Sequence, residues 1–415
     1  MRESFRPGGT EPTRRSGRGV QAVLSGAAAI LLGAAVVPPS PAAAAAPNCG
    51  PPGNPAPADM PWPLRRLEPS SAWPVSRGAG VTVAVIDSGV SANHPVLKGQ
   101  VRVGRDFNGL PQQEGRCDLA GHGTIVAGII AGKEGNGASF SGIAPQARIL
   151  PVRVLPDTKT TSDEGLPGEI AAAIRWSVQN GADVINLSLV TQDRQELADA
   201  VRYALDEGVV VVAAAGNRQE NQQDRPAFPA AYPGVIAVAG VDEEGGHVGS
   251  SVSGNYVDLA APGLNILGPA PGGDGYLAEP QGGTSFAAAY VSGVAALVRA
   301  AHPDLDPEQV ADRLVRTADS PPEGKNAEVG YGVVSPYRAV TGLLGTRTDP
   351  PAGRLPPPPP TTDPLAWQGT VAVWVAAVGA IVAGLLLSVK PILVRGRRRG
   401  WRPGRRPSGA DATTG

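Results

Sequence analysis

Five short apolar runs, at residues 81–86, 149–155, 184–189, 209–215 and 235–241, constrain this 415-residue chain most. The first is bounded by Gly78-Ala79-Gly80 on one side and Ser88-Gly89 on the other. Short runs without polar alternation are the mark of strands buried on both faces, as in a parallel sheet. Helical spacing fills the intervals. Ile170, Ile174 and Val178 form one stripe and Leu197, Val201 and Leu205 another, each followed by a glycine (Gly181, Gly208) of the kind that ends helices. Strands alternating with amphipathic helices predict an α/β, three-layer fold with a mostly parallel central sheet.

Residues 285–301 are different: small and apolar almost all round, they predict a helix buried in the middle of the domain. A further amphipathic helix is expected over 307–318, with Pro307 in its first turn. Methionine and aromatic residues are scarce, so this core is built mainly from Ala, Val, Leu and Ile. The formal net charge of -1 lacks the basic excess of a nucleic-acid binder, and no nucleic-acid partner is expected.

Four Gly-bearing segments carry chemistry. Residues 85–89 (Val-Ile-Asp-Ser-Gly) bring Asp87 to the end of a buried strand, where functional groups collect in parallel sheets. Taken alone, Asp87 has a second reading, a carboxylate capping its own loop at Ser88 and Gly89. His122, one of four histidines, opens an apolar helical segment between Gly121 and Gly123. Ser285 heads the buried helix behind Gly282 and Gly283; it could be a simple N-cap, but that place also aims backbone N–H groups at an oxyanion formed beside the hydroxyl. Gly216-Asn217 ends the run 209–215 and supplies either a turn or a side-chain amide donor. Together these give an acid (Asp87), a base (His122), a nucleophile (Ser285) and an oxyanion donor (Asn217). A serine hydroxyl needs such a base before it can attack a carbonyl.

The ends read as targeting segments. Arg14, Arg15 and Arg18 precede an apolar run at 22–37 and small residues through Ala46, the layout of a secretory signal, with cleavage after Ala44 or Ala46; a twin-Arg signal is the rival. Residues 369–389 are uncharged, apolar and long enough to cross a bilayer, with Trp367 and Trp374 as interfacial anchors. Seven arginines follow, placing that tail in the cytoplasm and the preceding chain outside. The expected layout is a signal peptide at 1–46, an N-terminal extension at 47–77, a main folded domain at 78–345, a Pro-rich linker at 346–366, a transmembrane helix at 367–390 and a basic tail at 391–415. Cys49 and Cys117 are the only cysteines, and in an exported chain they read as one disulfide.

From about residue 78 to 340 the chain resembles the subtilisin-like serine proteases, through 84–89, 121–128, 214–217 and 283–288 in that order. The resemblance implies a peptide-hydrolysing Asp87–His122–Ser285 triad, Asn217 as oxyanion donor, and Ser188 and Leu189 pairing with the substrate backbone. It departs at Val190, where the family usually has Gly. No cofactor is implied, and no acidic cluster spells a metal site. The signal, the Cys-bearing extension, the segment 65–73 (Arg-Arg-Leu-Glu-Pro-Ser-Ser-Ala-Trp), the Pro-rich stalk and the single span are similar to the mycosins, membrane-anchored subtilases associated with type VII secretion. That likeness implies a secretion-complex partner. It also leaves a rival role open, a structural subunit in which catalysis is secondary.

Overall fold

The strands form where the apolar runs predict them. The computed structural model describes residues 49–109, 113–134, 139–156, 164–218, 224–344, 366–398 and 400. The expected signal segment, the Pro-rich linker and the tail beyond Gly400 lie outside the described residues. The chain divides into two units, residues 1–343 and 344–415.

In the first unit β1 (Thr82–Asp87), β2 (Arg105–Asp106), β3 (Arg148–Arg153), β4 (Val184–Leu187), β5 (Val210–Ala214), β6 (Ile236–Val241) and β7 (Leu259–Pro262) form one sheet in the order β2-β3-β1-β4-β5-β6-β7. Every pairing in it is parallel. Side chains alternate across a strand, so β1, β3, β4, β5 and β6 each feed two cores. Val83 and Val85 of β1 face the core that holds α2 (His122–Ala131) and α5 (Thr284–Ala301). Ala84 and Ile86 face the core that holds α3 (Leu166–Gln179) and α4 (Gln195–Asp206). This gives three layers, helix on sheet on helix. The helical stripes point as expected: Ile170, Ile174, Leu197 and Val201 are buried, with Val178 and Leu205 at the margin. Gly181 and Gly208 lie just past the two helix ends with φ of 75° and 82°, the left-handed geometry that a glycine adopts without strain.

The remaining elements frame this core. α1 (Trp62–Leu67) precedes β1; β8 (Ile266–Pro269) and β9 (Tyr276–Glu279) form a separate antiparallel hairpin; α6 (Pro307–Arg316) and α7 (Pro336–Thr341) close the unit. α6 ends two residues before the expected Ala318 and starts on a capping box, Asp306 with Gln309, with Pro307 in its first turn. Cys49 is bonded to Cys117. Closing a loop of 68 residues contributes about 4 kcal/mol in the chain-entropy model. The bridge ties the extension to the stretch that leads into α2.

Between β1 and β4 the direction of chain progression across the sheet reverses. Beyond the carboxyl ends of strands at such a switch a crevice opens, the usual site of function in an α/β sheet. Asp87 ends β1, Ser188 follows β4 and Asn217 lies three residues past β5, so neighbouring strands deliver all three to one end of the sheet.

The second unit contains α8 (Ala366–Arg398). Its stretch Val371–Arg398 is long and apolar enough to cross a membrane and is exposed in the structure, whereas α5, also apolar enough, is 78% buried and is a core helix. Arg395, Arg397 and Arg398 lie in the last turn of α8.

Candidate active site

Asp87 is sealed from solvent, with its Oδ1 accepting from the Ser88 amide at 2.7 Å. His122 begins α2, and its Nδ1 lies 2.8 Å from Asp87 Oδ1 and 3.0 Å from Oδ2. The approach requires Gly123. A Cβ there would sit 2.1 Å from the Gly89 carbonyl oxygen and 3.2 Å from Asp87. With the buried carboxylate accepting Nδ1–H, the lone pair of the ring is on Nε2. The imidazole keeps 15% of its side-chain surface exposed.

Burial is the largest single influence on His122 and opposes its charged form. The charge of Asp87 and its hydrogen bond act the other way, with smaller pushes from Asp118 and Glu279. Together they prevail, and the pKa lies above the ordinary 6.5. A base so tuned is stronger than free imidazole but must be neutral to accept a proton.

Ser285 is the second residue of α5 and is partly exposed. The ring of the next residue, Phe286, packs 5.2 Å from the His122 ring, centroid to centroid, which holds the two segments together. The Ser285 hydroxyl donates to the Ser188 carbonyl at 3.1 Å, not to His122. Rotation about its Cα–Cβ bond is therefore needed before His122 can accept that proton.

Asn217 lies beside the head of the same helix. Its Oδ1 accepts from the Thr284 amide at 2.9 Å and the Thr284 hydroxyl at 3.1 Å, which fixes the amide orientation because an N–H can only donate. The Nδ2 donors are then left on the other side of the amide, next to Gly283. Gly283 has a φ of 149°, and a Cβ on it would lie 3.1 Å from Asn217 Nδ2, so any side chain here would crowd the donor. β4 stops at Leu187, two residues before the apolar run does, which leaves the backbone of Ser188 and Leu189 beyond the sheet at the cleft.

Two features were not singled out in the sequence. Asp118, four residues before His122 and fully buried, accepts from Ser88 Oγ, the Ala120 and Gly121 amides, and both the amide and hydroxyl of Thr124. It anchors the start of α2; an Asp shortly before a helix start is the signal that could have found it. The other is a polar chain through Asn186 and Ser292, each standing alone in a buried apolar run.

An acid–base couple, a hydroxyl and an oriented amide at one strand end are the parts of an acyl-transfer site. Residues 78–332 match the model of the Subtilase family. The chain belongs to the subtilase family. Its resemblance to the subtilisin-like serine proteases holds, and this subtilase is a serine endopeptidase. It is similar to Mycosin-3 of Mycobacterium tuberculosis, 34% identical over 387 residues that cover 79% of this chain and 82% of the relative. Among solved structures it is similar to the MycP3 protease from the type VII (ESX-3) secretion system, with a TM-score of 0.63 and 35% identity over 70% of this chain and 92% of that one. A chain of an intact ESX-5 inner membrane complex matches with a TM-score of 0.60 and 31% identity, covering 85% of this subtilase and 98% of that chain.

Proposed function

We propose that this subtilase is a membrane-anchored endopeptidase working at a type VII secretion complex, with Ser285 as nucleophile, His122 as general base and then acid, Asp87 as orienting acid and Asn217 as oxyanion donor. The observation that carries this is the buried Asp87–His122 couple standing beside the head of α5 and the oriented Asn217 amide. A peptide pairs its backbone with Ser188 and Leu189, setting its carbonyl above Ser285. His122 Nε2 takes the hydroxyl proton as Oγ attacks. The oxyanion is stabilised by Asn217 Nδ2 and the positive end of α5. The imidazolium then gives its proton to the leaving amine as the tetrahedral adduct collapses and its C–N bond breaks, which leaves the acyl–Ser285 ester; water, activated by the same imidazole, hydrolyses that ester and releases Ser285. The test is a fluorophosphonate probe on the detergent-solubilised full chain, read by mass spectrometry. Label is expected on Ser285 and suppressed in His122→Ala; label at another serine overturns the assignment.

The likeness to mycosins and to a chain of the ESX-5 complex supports a secretion partner. For sidedness, the arginines at the end of α8 favour a cytoplasmic tail, while the signal-like N-terminus favours export of the catalytic unit. We read 1–46 as the signal, 346–366 as a stalk and 391–415 as the cytoplasmic tail. Protease added to intact spheroplasts is expected to cut the stalk and release the catalytic unit, leaving the tail protected. A digested tail with a retained catalytic unit refutes this orientation.

A further inference from the structure

A chain of hydrogen bonds runs through the core to the backbone of Ser285. It begins at Ser292, in the third turn of α5, whose Oγ donates to Asn186 Oδ1 at 2.9 Å. Asn186 Nδ2 donates to Ser188 Oγ at 2.9 Å, and Ser188 Oγ donates to the Ser285 carbonyl at 2.7 Å. In return, Ser285 Oγ donates to the Ser188 carbonyl. Asn186 and Ser292 are fully buried and Ser188 is nearly so. Asn186 is the one polar residue of β4, a central strand between β1 and β5, and its neighbours Ile185 and Leu187 are fully buried too.

Stability alone gives little reason for this chain. A buried polar pair whose groups satisfy each other contributes little more than an apolar pair of the same shape. Its end points are what distinguish it: one end is fixed in α5 and the other is the clasp between Ser188 and Ser285. In the proposed function the Ser188 backbone pairs with the substrate, and Ser285 Oγ must stand about 3 Å from the carbonyl carbon it attacks. The relative position of those two backbones is therefore the distance from which reaction starts.

We propose that Asn186, Ser188 and Ser292 are positioning residues that fix the nucleophile strand-to-helix distance, holding the Ser285 backbone in register with the backbone that binds substrate. This rests on the reading of Ser285 as nucleophile. None of the three side chains touches the reacting atoms; each acts through the Ser285 carbonyl. A displacement on the order of 1 Å at such a site costs up to about a hundredfold in rate. The effect falls on the chemical step, not on affinity.

The test is the saturation kinetics of fluorophosphonate labelling on the full chain, which separates the maximal rate (kinact) from the binding constant (KI), alongside thermal unfolding. Ser188→Ala, Asn186→Leu and Ser292→Ala are each expected to lower kinact about 10- to 100-fold with KI within about twofold. The double variant Asn186→Leu/Ser292→Ala exchanges a polar pair for an apolar one, so its Tm should exceed that of Ser292→Ala, which strands a buried amide oxygen. Its kinact should stay low. If that variant regains both Tm and kinact, the chain serves stability only and the proposal is overturned. Wild-type kinact in Ser188→Ala overturns it without reference to the double variant. In both cases mass spectrometry that finds the label on Ser285 leaves the nucleophile assignment standing; label elsewhere in the wild-type chain removes that assignment and this inference together.

Discussion

His122→Ala and Ser285→Ala are each expected to lower kcat for a peptide substrate by about 10⁶-fold, the scale measured when either group is removed from a subtilisin. Removing both should cost no more than removing one. The reason is that base and nucleophile act as a unit: a hydroxyl without a base is no better than water, and a base without the hydroxyl has no proton to take. Residual hydrolysis should persist in all three variants, because Asn217 and the head of α5 still stabilise an oxyanion when water attacks. Steady-state hydrolysis of a peptide by the full chain and its three variants is the measurement. Multiplying losses in the double variant would show two independent contributions and dissolve the proposed couple. A His122→Ala enzyme within tenfold of wild type would assign the base elsewhere.

What could be read in the sequence was local. Asp87 ends a strand, His122 and Ser285 open helices and Asn217 follows β5 by three residues, each with a glycine within two residues, so those signals are local. The central strands were legible for the same reason, since burial on both faces leaves an unbroken apolar run. β7 was not: Leu259–Pro262 is four residues with two alanines and a proline, held as a strand by β6 on one edge and by residues 332–334 on the other. The β8–β9 hairpin, with glycine and proline in β8, escaped similarly. The clasp between Ser188 and Ser285 spans 97 residues of chain. No window sees it, and only the seating of α5 against β4 brings the two together. Asp118 was close to legible, four residues from a histidine already singled out, but its meaning comes from Ser88, 30 residues upstream.

Asp87→Asn is expected to lower kcat about 10⁴-fold, the loss known for this change in another Ser-His-Asp enzyme, while leaving the fold intact. An asparagine can fit the same space, but its amide can donate to Nδ1 and so favour the tautomer with the proton on Nε2. That nitrogen can then no longer accept a proton from Ser285. The pH profile gives a second and separate signature. In the wild-type chain, burial works against the imidazolium, but the Asp87 charge and hydrogen bond outweigh it and raise the pKa above 6.5. The base is active when neutral, so kcat/KM should climb as pH rises through that raised value and fall away below it. In Asp87→Asn the main opposing influence is gone and burial remains, so the acid limb should move to lower pH even as the plateau drops. Loss of rate and displacement of the limb therefore have different causes, tautomer for the first and charge for the second. A variant that loses rate with its acid limb unmoved would mean that His122 does not carry the titration, and the proton would have to be assigned to another group in the cleft.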